Sequence, residues 1–409
     1  MKCRHCGSEI KNLFVDLGSS PPSNSYLSHK YLNLPEKWYP LRVLCCNNCW
    51  LVQTEDFVAE DEMFSSEYAY FSSFSSSFLT HVENYVSKMV DRFGLDKTSN
   101  VVEVASNDGY LLQYFVEKDI PCLGVEPTLS TAATAREKGI EVVTEFFAEK
   151  IALEFVSQGK SADLIVANNV LAHVPDINDF VKGFSVLLNP KGVATFEFPH
   201  LVNLVENNQF DTVYHEHYSY LSLTSVNAIF ESNNLSIFDV DELPTHGGSL
   251  RVYAQRSDSG EQPVGANVGD LLVREEEIGL KTVDYYAGFQ KKAEEIKLSL
   301  LEFLIAAKRE GKQVVGYGAA AKGNTMINYA GVGSDLISYV VDKNPAKQNM
   351  FLPGSRIPIK SVEYLKENRP DYIIILPWNL SKEIKGELID LTSLGTNLVR
   401  FIPEFGVVT

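Results

Sequence analysis

The sequence has no apolar run long enough to cross a membrane and no excess of positive charge. Its 36 lysines and arginines are outnumbered by 53 aspartates and glutamates, so the formal net charge at pH 7 is −17. This balance argues against general binding to nucleic acid or anionic membranes, although a local basic pocket for phosphates is compatible with it. The opening stretch, MKCRHCGSEI, lacks the apolar core of a signal peptide. We therefore expect a cytoplasmic protein.

Cysteine is scarce outside the N-terminal region, which holds two CxxC pairs. Cys3 and Cys6 form the first pair, and Cys46 and Cys49 form the second. Four thiolates at this spacing are typical of a closed tetrahedral zinc site with no open position for water. Only Cys46, and not the adjacent Cys45, keeps the two-residue spacing to Cys49. Free buried cysteines are the alternative, but the spacing favours a structural zinc module.

The rest of the chain has a globular composition, with 45% hydrophobic and 22% charged residues. A length of 409 residues predicts two or three domains. After residue 76, short apolar runs alternate with helical patterns, which is typical of a doubly wound α/β sheet. The first run, Val101–Val104, enters a tight turn, and ligands commonly bind at such strand ends. The turn holds the candidate cofactor-binding residues Ala105, Asn107, Asp108 and Gly109, and a helix is expected to begin near Tyr110.

The second and third apolar runs end in further candidates for cofactor binding. The run CLGVEP ends in Glu126, about 20 residues after Glu103, and an acidic residue in this position typically binds ribose hydroxyls. A solvated carboxylate is the alternative interpretation. The next run ends in Phe146 and Phe147, which are suited to stacking on a base but occur more often in a core.

The fourth run, ADLIVANN, ends in Asn168 and Asn169 and leads to His173. The two asparagines are candidates for cofactor binding because they lie at a strand end. His173 is compatible either with an active site or with a helix surface.

The stretch VYHEHYSYLS crowds titratable and aromatic residues into a few positions. In an extended strand, Tyr214 and Glu216 would share one face, and His215 and His217 would share the other. Tyr214, Glu216 and His217 can therefore line one pocket only if the backbone turns, which predicts a loop. A metal site is an alternative, but HEH lacks the i, i+4 spacing of helical zinc histidines. Packing of an aromatic-rich loop is another.

The region after residue 240 contains a glycine pair and a candidate basic contact. In LPTHGGSLRVYAQR, Gly247 and Gly248 permit close approach of the backbone before a strand. Arg251 is suited to binding a phosphate or carboxylate, and an ordinary strand arginine is the alternative. The following segment, residues 270–309, has a helical pattern.

The stretch QVVGYGAAAKGNT predicts a buried strand followed by a glycine-rich loop. Gly316, Gly318 and Gly323 precede Asp342, which ends the next strand, and together they form a passable dinucleotide-binding fingerprint. This pattern leaves a nicotinamide-dependent oxidoreductase open as an alternative. Lys322 inside the loop weighs against it.

Taken together, the motifs resemble those of the sugar C-methyltransferase family, which acts on nucleotide-linked 4-keto-deoxysugars. The resemblance is carried, in family order, by the CxxC pairs, EYAYFSS, VVEVASNDGYLL, NNVLAHVPD, VYHEHYSYLS, HGGSLRVY and GYGAAAKGNT. It implies a zinc module at residues 1–75 and a Rossmann-like methyltransferase domain dependent on S-adenosylmethionine at residues 76–250. A second Rossmann-like domain at residues 251–409 would hold the nucleotide sugar and carry no redox cofactor.

The resemblance also implies roles for single residues. His217 would be the base, with Tyr214, Glu216, His173 and Tyr68 beside it. The base would remove the hydrogen at C3, next to the 4-keto group, to give an enolate that accepts the methyl group. The implied cofactor contacts are Glu103, Ala105, Asn107, Asp108, Gly109, Glu126, Phe146, Phe147, Asn168 and Asn169. The implied substrate contacts are Tyr70, His246, Arg251, Gly318 and Lys322.

Other functions are compatible with the sequence. O- or N-methylation of a nucleotide sugar would need no enolate, and a non-catalytic binding protein could use the zinc module as an interaction surface. We expect a monomer or a weak homo-oligomer.

Overall fold

The computed structural model describes residues 1–57, 72–74 and 76–408, and three β-sheets organise this part of the chain. Tyr68 and Tyr70 lie outside the described residues. Among the described residues, no helix combines the length and apolar composition needed to cross a bilayer.

The N-terminal module contains β1 (Asn12–Ser20), β2 (Tyr39–Cys45) and β3 (Val52–Thr54), which pair in antiparallel order. In β2, buried and half-buried residues alternate, as expected for a strand with one face on a core. The core that it faces is shared with the C-terminal region, because Phe14 stacks on Phe289 with ring centroids 4.4 Å apart. The module is therefore packed against the rest of the protein.

The central sheet has the strand order β10-β11-β8-β7-β4-β5-β6. The strands from β8 to β6 are parallel, and β10 and β11 are added to this part by antiparallel pairing. The strands in chain order are β4 (Val101–Val104), β5 (Cys122–Val125), β6 (Glu141–Val143), β7 (Ala162–Asn168), β8 (Leu188–Pro199), β10 (Leu235–Leu243) and β11 (Ser249–Arg256). Every residue of β4 is buried, as is typical of a parallel strand covered on both faces. The strand order reverses at β4, so a crevice forms at the carboxyl ends of β4, β5 and β7.

Helices cover both faces of this sheet. They are α1 (Ser76–Phe93), α2 (Gln113–Val116), α3 (Leu129–Glu137), α4 (Glu149–Ser157), α5 (Ile177–Leu187), α6 (Leu201–Glu206) and α7 (Leu223–Ser232). The helix expected near Tyr110 begins only at Gln113, because residues 107–112 continue the turn after β4.

A short strand, β9 (Ser219–Tyr220), joins the central region to the N-terminal sheet. It pairs with β3 through Val52 and Gln53 and completes a four-stranded sheet. The VYHEHYSYLS stretch therefore leads directly into the sheet of the N-terminal module.

The C-terminal region forms a six-stranded sheet of order β14-β13-β12-β15-β16-β17, with only the β16–β17 pair antiparallel. Its elements in chain order are α8 (Ala266–Glu277), α9 (Val283–Tyr286), α10 (Phe289–Arg309), β12 (Val314–Tyr317), α11 (Ala321–Ala330), β13 (Val340–Val341), β14 (Ile359–Lys360), α12 (Val362–Glu367), β15 (Tyr372–Ile375), α13 (Ser381–Glu387), α14 (Ile389–Ser393), β16 (Asn397–Arg400) and β17 (Gly406–Val407). This parallel architecture agrees with the predicted second Rossmann-like domain.

One expectation about this region needs correction. The helical segment at residues 270–309 is three helices, because Gly279 and Gly288 adopt left-handed backbone angles, φ +85° and +88°, that interrupt it.

Strand β11 pairs along β8 from Ser249 to Gln255. The central sheet therefore includes residues on both sides of position 250.

A buried carboxylate fixes the chain on either side of the VYHEHYSYLS stretch. Glu275 of α8 accepts hydrogen bonds from the backbone N–H groups of Leu223 (2.8 Å) and Thr224 (2.7 Å) at the start of α7. It also lies 2.7 Å from Nε2 of His200, the residue before α6. One carboxylate thus ties the C-terminal helices to the two helices that flank the stretch.

Candidate active site

A cavity of about 370 Å³ opens at the carboxyl ends of the central strands, between the three sheets. Most residues predicted for the site meet in it. Those lining the cavity are Ala105, Asn107, Glu126, Phe146, Phe147, Asn168, Asn169, His173, Tyr214, Glu216, His217, His246 and Lys322. The cavity is also lined by residues that the sequence did not indicate as site residues, among them Asn24, Phe78, Tyr110, Thr212 and Lys347.

One end of the cavity is built by the turn after β4 and by Glu126 after β5. The Glu126 carboxylate accepts the backbone N–H of Asn107 and that of Thr128, each at 2.9 Å. Ala105 and Asn107 have left-handed backbone angles, φ +58° and +49°, which bend the chain sharply around the strand end. These bonds fix the orientation of a buried carboxylate at the position where a ribose is bound in related α/β sheets.

Three predicted cofactor contacts do not line the cavity. Glu103 is completely buried within β4, and burial raises the pKa of its carboxyl group well above the usual range. Asp108 instead accepts the backbone N–H of Ser73 at 3.3 Å. Gly109 faces α3 and the residues after it, where a Cβ atom would lie 3.2 Å from Cβ of Ala135 and 2.4 Å from the side chain of Ile140. These three residues support the turn after β4 but do not line the cavity.

Two predicted substrate contacts also lie off the cavity wall. The Arg251 guanidinium is buried 2.7 Å from the Glu197 carboxylate, which also accepts a hydrogen bond from Thr245. Against the effect of burial, His81 and Arg251 hold the pKa of Glu197 at about 2. The positive charge of Arg251 is therefore neutralised by Glu197 within the protein. Gly318 packs against a proline of the same domain, with room for no Cβ atom.

The VYHEHYSYLS stretch bends as predicted. The backbone N–H of His217 donates to the carbonyl oxygen of Tyr214 at 2.9 Å, which closes a tight turn. The turn brings Tyr214, Glu216 and His217 to one cavity, and His215 instead contacts the carbonyl oxygen of Pro40 at 3.1 Å. We call residues 214–217 the YHEH turn.

The hydrogen bonding of His217 defines which of its nitrogens is basic. Its Nδ1 lies 2.8 Å from the carbonyl oxygen of Thr212, which can only accept, so Nδ1 carries the proton. Burial lowers the pKa of His217 well below its usual value, and the positive charge of nearby groups, including Lys322, acts in the same direction. The ring is therefore neutral near pH 7, and Nε2 has the lone pair.

A second histidine packs beside it. The ring centroid of His173 lies 4.7 Å from that of His217, and burial lowers the pKa of His173 to about 4. Both imidazoles are thus uncharged at neutral pH, so the pair carries no mutual repulsion.

The C-terminal domain contributes two lysines to the opposite wall. Lys322 lies in the first turn of α11, donates to Oδ1 of Asn379 at 3.0 Å and stacks over the Trp378 ring. The indole N–H of Trp378 donates to Asp211 at 2.8 Å. Lys347 donates to the carbonyl oxygen of Ala319 at 2.9 Å. This wall can attract an anionic group.

The acidic residue of the glycine fingerprint binds backbone N–H groups of its own domain. The Asp342 carboxylate accepts the backbone N–H groups of Ala319 and Asn344, both at 2.8 Å. It is thus oriented in the same way as the Glu126 carboxylate of the central sheet.

The four predicted zinc ligands come together. The sulfur atoms of Cys3, Cys6, Cys46 and Cys49 all lie within 4.8 Å of one another, as four ligands of one tetrahedral ion require. Cys45 is not part of this group and points its sulfur at the carbonyl oxygen of Cys46, 3.7 Å away. The residues therefore fit a structural zinc ion.

Family models match the chain in three consecutive parts. Residues 3–64 match a zinc binding domain, residues 78–240 a methyltransferase domain, and residues 244–403 a C-methyltransferase C-terminal domain.

A characterised relative spans the full length. The chain is 34% identical over 408 residues to the C-methyltransferase NovU of Streptomyces niveus, with 100% of this chain and 97% of NovU covered.

Solved structures with low similarity include two methyltransferases. Magnesium protoporphyrin IX methyltransferase (ChlM) from Synechocystis PCC 6803, with bound SAM, is 16% identical with a TM-score of 0.34; the match covers 44% of this chain and 79% of that one. An S-adenosylmethionine-dependent methyltransferase from Clostridium acetobutylicum is 13% identical with a TM-score of 0.36; the match covers 45% and 92%.

Proposed function

Because the chain belongs to the C-methyltransferase family, we propose that it methylates C3 of a nucleotide-linked 4-keto-6-deoxysugar, with S-adenosylmethionine as the donor. The contact between His217 Nδ1 and Thr212 carries the proposal, because it leaves a neutral Nε2 as the basic atom of a cavity-lining residue. Carbon methylation requires removal of a C–H proton, and a buried neutral imidazole is suited to that step.

The donor end of the cavity would be formed by Glu126 and the aromatic pair. Glu126 would accept hydrogen bonds from ribose hydroxyls, since its carboxylate is already oriented by Asn107 and Thr128. Phe147 is buried in the wall and Phe146 is half-exposed at its rim, where they can pack against a purine. Bound S-adenosylmethionine supplies an electrophilic methyl group.

The chain's own residues would carry the proton and the developing charge. His217 Nε2 would take the C3 proton, and the C–H electron pair would pass to the 4-keto oxygen as an enolate. Tyr214 is a cavity donor suited to stabilising that oxygen. C3 then forms a bond to the methyl carbon while the sulfur–carbon bond breaks, and the imidazolium releases its proton to solvent. The imidazolium is a strong acid here because burial disfavours it.

The nucleotide end would lie on the wall of the C-terminal domain. Lys322 and Lys347 supply positive charge to a cavity in a protein of net charge −17, so a diphosphate would be drawn to this wall. Lys322 also lies in the first turn of α11, where backbone N–H groups favour anions.

Two assays on a panel of nucleotide 4-keto sugars test the proposal. Without donor, in deuterated water, we expect exchange of the C3 hydrogen, detected by mass spectrometry and proton NMR. With donor, we expect a new C–CH3 signal and no O-methyl signal. Exchange absent at C3 together with methylation on oxygen or nitrogen would replace the proposal by the other methyltransferase function. Tight nicotinamide binding in a titration would support an oxidoreductase instead.

A further inference from the structure

The N-terminal module contacts the YHEH turn at three consecutive residues. The His215 ring lies against a carbonyl group of the module, and the Thr54 hydroxyl donates to the His217 carbonyl oxygen at 3.1 Å. Between them, Nδ2 of Asn24 lies 2.8 Å from both carboxylate oxygens of Glu216. Asn24 differs from the other two contacts because both it and the side chain that it holds line the cavity.

Asn24 is itself held firmly. The neighbouring Ser23 hydroxyl lies 3.3 Å from that of Thr325 in α11. On the other side, the Tyr26 hydroxyl donates to the carbonyl oxygen of Ala319 at 2.6 Å. The segment around Asn24 is therefore anchored to the C-terminal domain before and after the asparagine, and Oδ1 of Asn24 lies 3.3 Å from the Tyr26 hydroxyl.

In the hydrogen bonds between Asn24 and Glu216, Asn24 is the donor. Carboxylate oxygens only accept hydrogen bonds, so the Asn24 atom that faces them is the amide nitrogen, and Asn24 donates. Only 2% of the Glu216 surface is exposed, and a buried carboxylate needs donors to stay ionised and oriented. Asn24 supplies such a donor to both oxygens.

We propose that Asn24 is a positioning residue of the active site, which holds the Glu216 carboxylate in the orientation in which it accepts a hydrogen bond from a sugar hydroxyl. The zinc-binding module would thus take part in substrate alignment. The identity of the substrate rests on the proposed function above, whereas the Asn24–Glu216 contact does not.

Three variants separate positioning from folding. Asn24→Ala removes the donor, and we expect kcat/KM to fall about tenfold, as for loss of a hydrogen bond to a charged group. Asn24→Asp sets two carboxylates against each other and moves Glu216, and we expect a fall of about 100-fold. Asn33→Asp makes the same charge change at an exposed site of the same module, and we expect wild-type kinetics. The affinity for S-adenosylmethionine, measured by titration calorimetry, should stay within about twofold of wild type in all three variants.

Exchanging the amide and the carboxylate between positions 24 and 216 separates a positioning role from a purely structural one. In Asn24→Asp/Glu216→Gln, the amide and carboxylate trade places, so the melting temperature should recover most of what Asn24→Asp loses. The kcat/KM should stay at least about 100-fold low, because the carboxylate no longer stands where it meets the substrate. Recovery of both stability and kcat/KM would overturn the proposal, because the contact would then only support the fold.

The role of Asn24 can be tested even if the protein does not act on the proposed sugar substrates. If wild-type protein shows no C3 exchange or methylation on the sugar panel, the proposed function fails. The double-mutant cycle of melting temperatures for Asn24→Ala and Glu216→Gln then decides the positioning contact. Additive effects would overturn it, and so would kcat/KM within twofold of wild type for folded Asn24→Ala and Asn24→Asp.

Discussion

Nδ1 of His217 lies 2.8 Å from the carbonyl oxygen of Thr212. Two consequences follow for the chemistry of the cavity. The carbonyl oxygen fixes the proton on Nδ1, and the tight turn from Tyr214 places the ring beside the aromatic and acidic side chains of the same segment. A side chain that the sequence identifies only as a histidine thereby has one defined basic nitrogen.

Replacement of His217 tests this assignment. His217→Asn keeps an amide N–H at the Nδ1 position, so the bond to Thr212 can persist while the basic nitrogen is lost. We expect kcat to fall at least about 100-fold, with the donor dissociation constant within about twofold of wild type. Steady-state kinetics and titration calorimetry measure the two quantities. Near-normal turnover would remove His217 as the base.

Replacement of Glu126 tests the donor end. Glu126→Ala removes the oriented carboxylate, and we expect the dissociation constant for S-adenosylmethionine to rise about tenfold to 100-fold, as for loss of charged hydrogen bonds. Glu137→Ala makes the same change at an exposed position of α3 and should leave it unaltered. Equal affinities of the two variants would contradict the assigned role of Glu126. Calorimetry provides the measurement.

The zinc assignment distinguishes two adjacent cysteines. Cys46→Ser removes one of the four clustered thiolates, so we expect purified protein to hold less than one zinc per chain and to melt at a lower temperature. Cys45→Ser should keep one zinc per chain, because that sulfur is outside the cluster. Metal analysis and thermal melting report both results. The assignment is wrong if Cys45→Ser loses the zinc and Cys46→Ser keeps it.

Two neutral, half-buried histidines predict acid sensitivity of the fold. Burial lowers the pKa values of His173 and His246 from 6.5 to about 4. The folded state therefore binds fewer protons than the unfolded state between pH 6.5 and pH 4, and stability must fall as the pH falls through this window. A shift of this size corresponds to about 3 kcal/mol for each residue.

The variant His246→Asn makes that prediction specific. Asparagine does not titrate in this window and tolerates the left-handed angle at this position, φ +55°. We expect the free energy of unfolding, from urea titrations at pH 7 and pH 4.5, to depend less on pH in this variant than in wild type. The prediction fails if both proteins lose the same free energy.

Local patterns were sufficient for much of the architecture. Val101–Val104 was predicted and observed as a strand, and the period-2 argument predicted the bend at residues 214–217. The CxxC spacing identified the zinc ligands because two thiolates on one short turn can face one ion whatever the rest of the fold. The helical period over residues 270–309 does not show where a helix ends, and left-handed angles at Gly279 and Gly288 divide the region into three helices.

Local sequence patterns are enough to identify strands such as Val101–Val104, the cysteines that can share an ion, and the residue types that the chemistry needs. The family resemblance implies a cofactor contact for Glu103 as well as for Glu126. Only the sheet decided that one stands at a strand end facing the cavity and the other lies inside the core. Asn24 reaches Glu216 across 192 positions of chain, and no local periodicity encodes such a contact. Long-range pairs of this kind arise only when separate cores pack and bring distant segments within hydrogen-bonding distance.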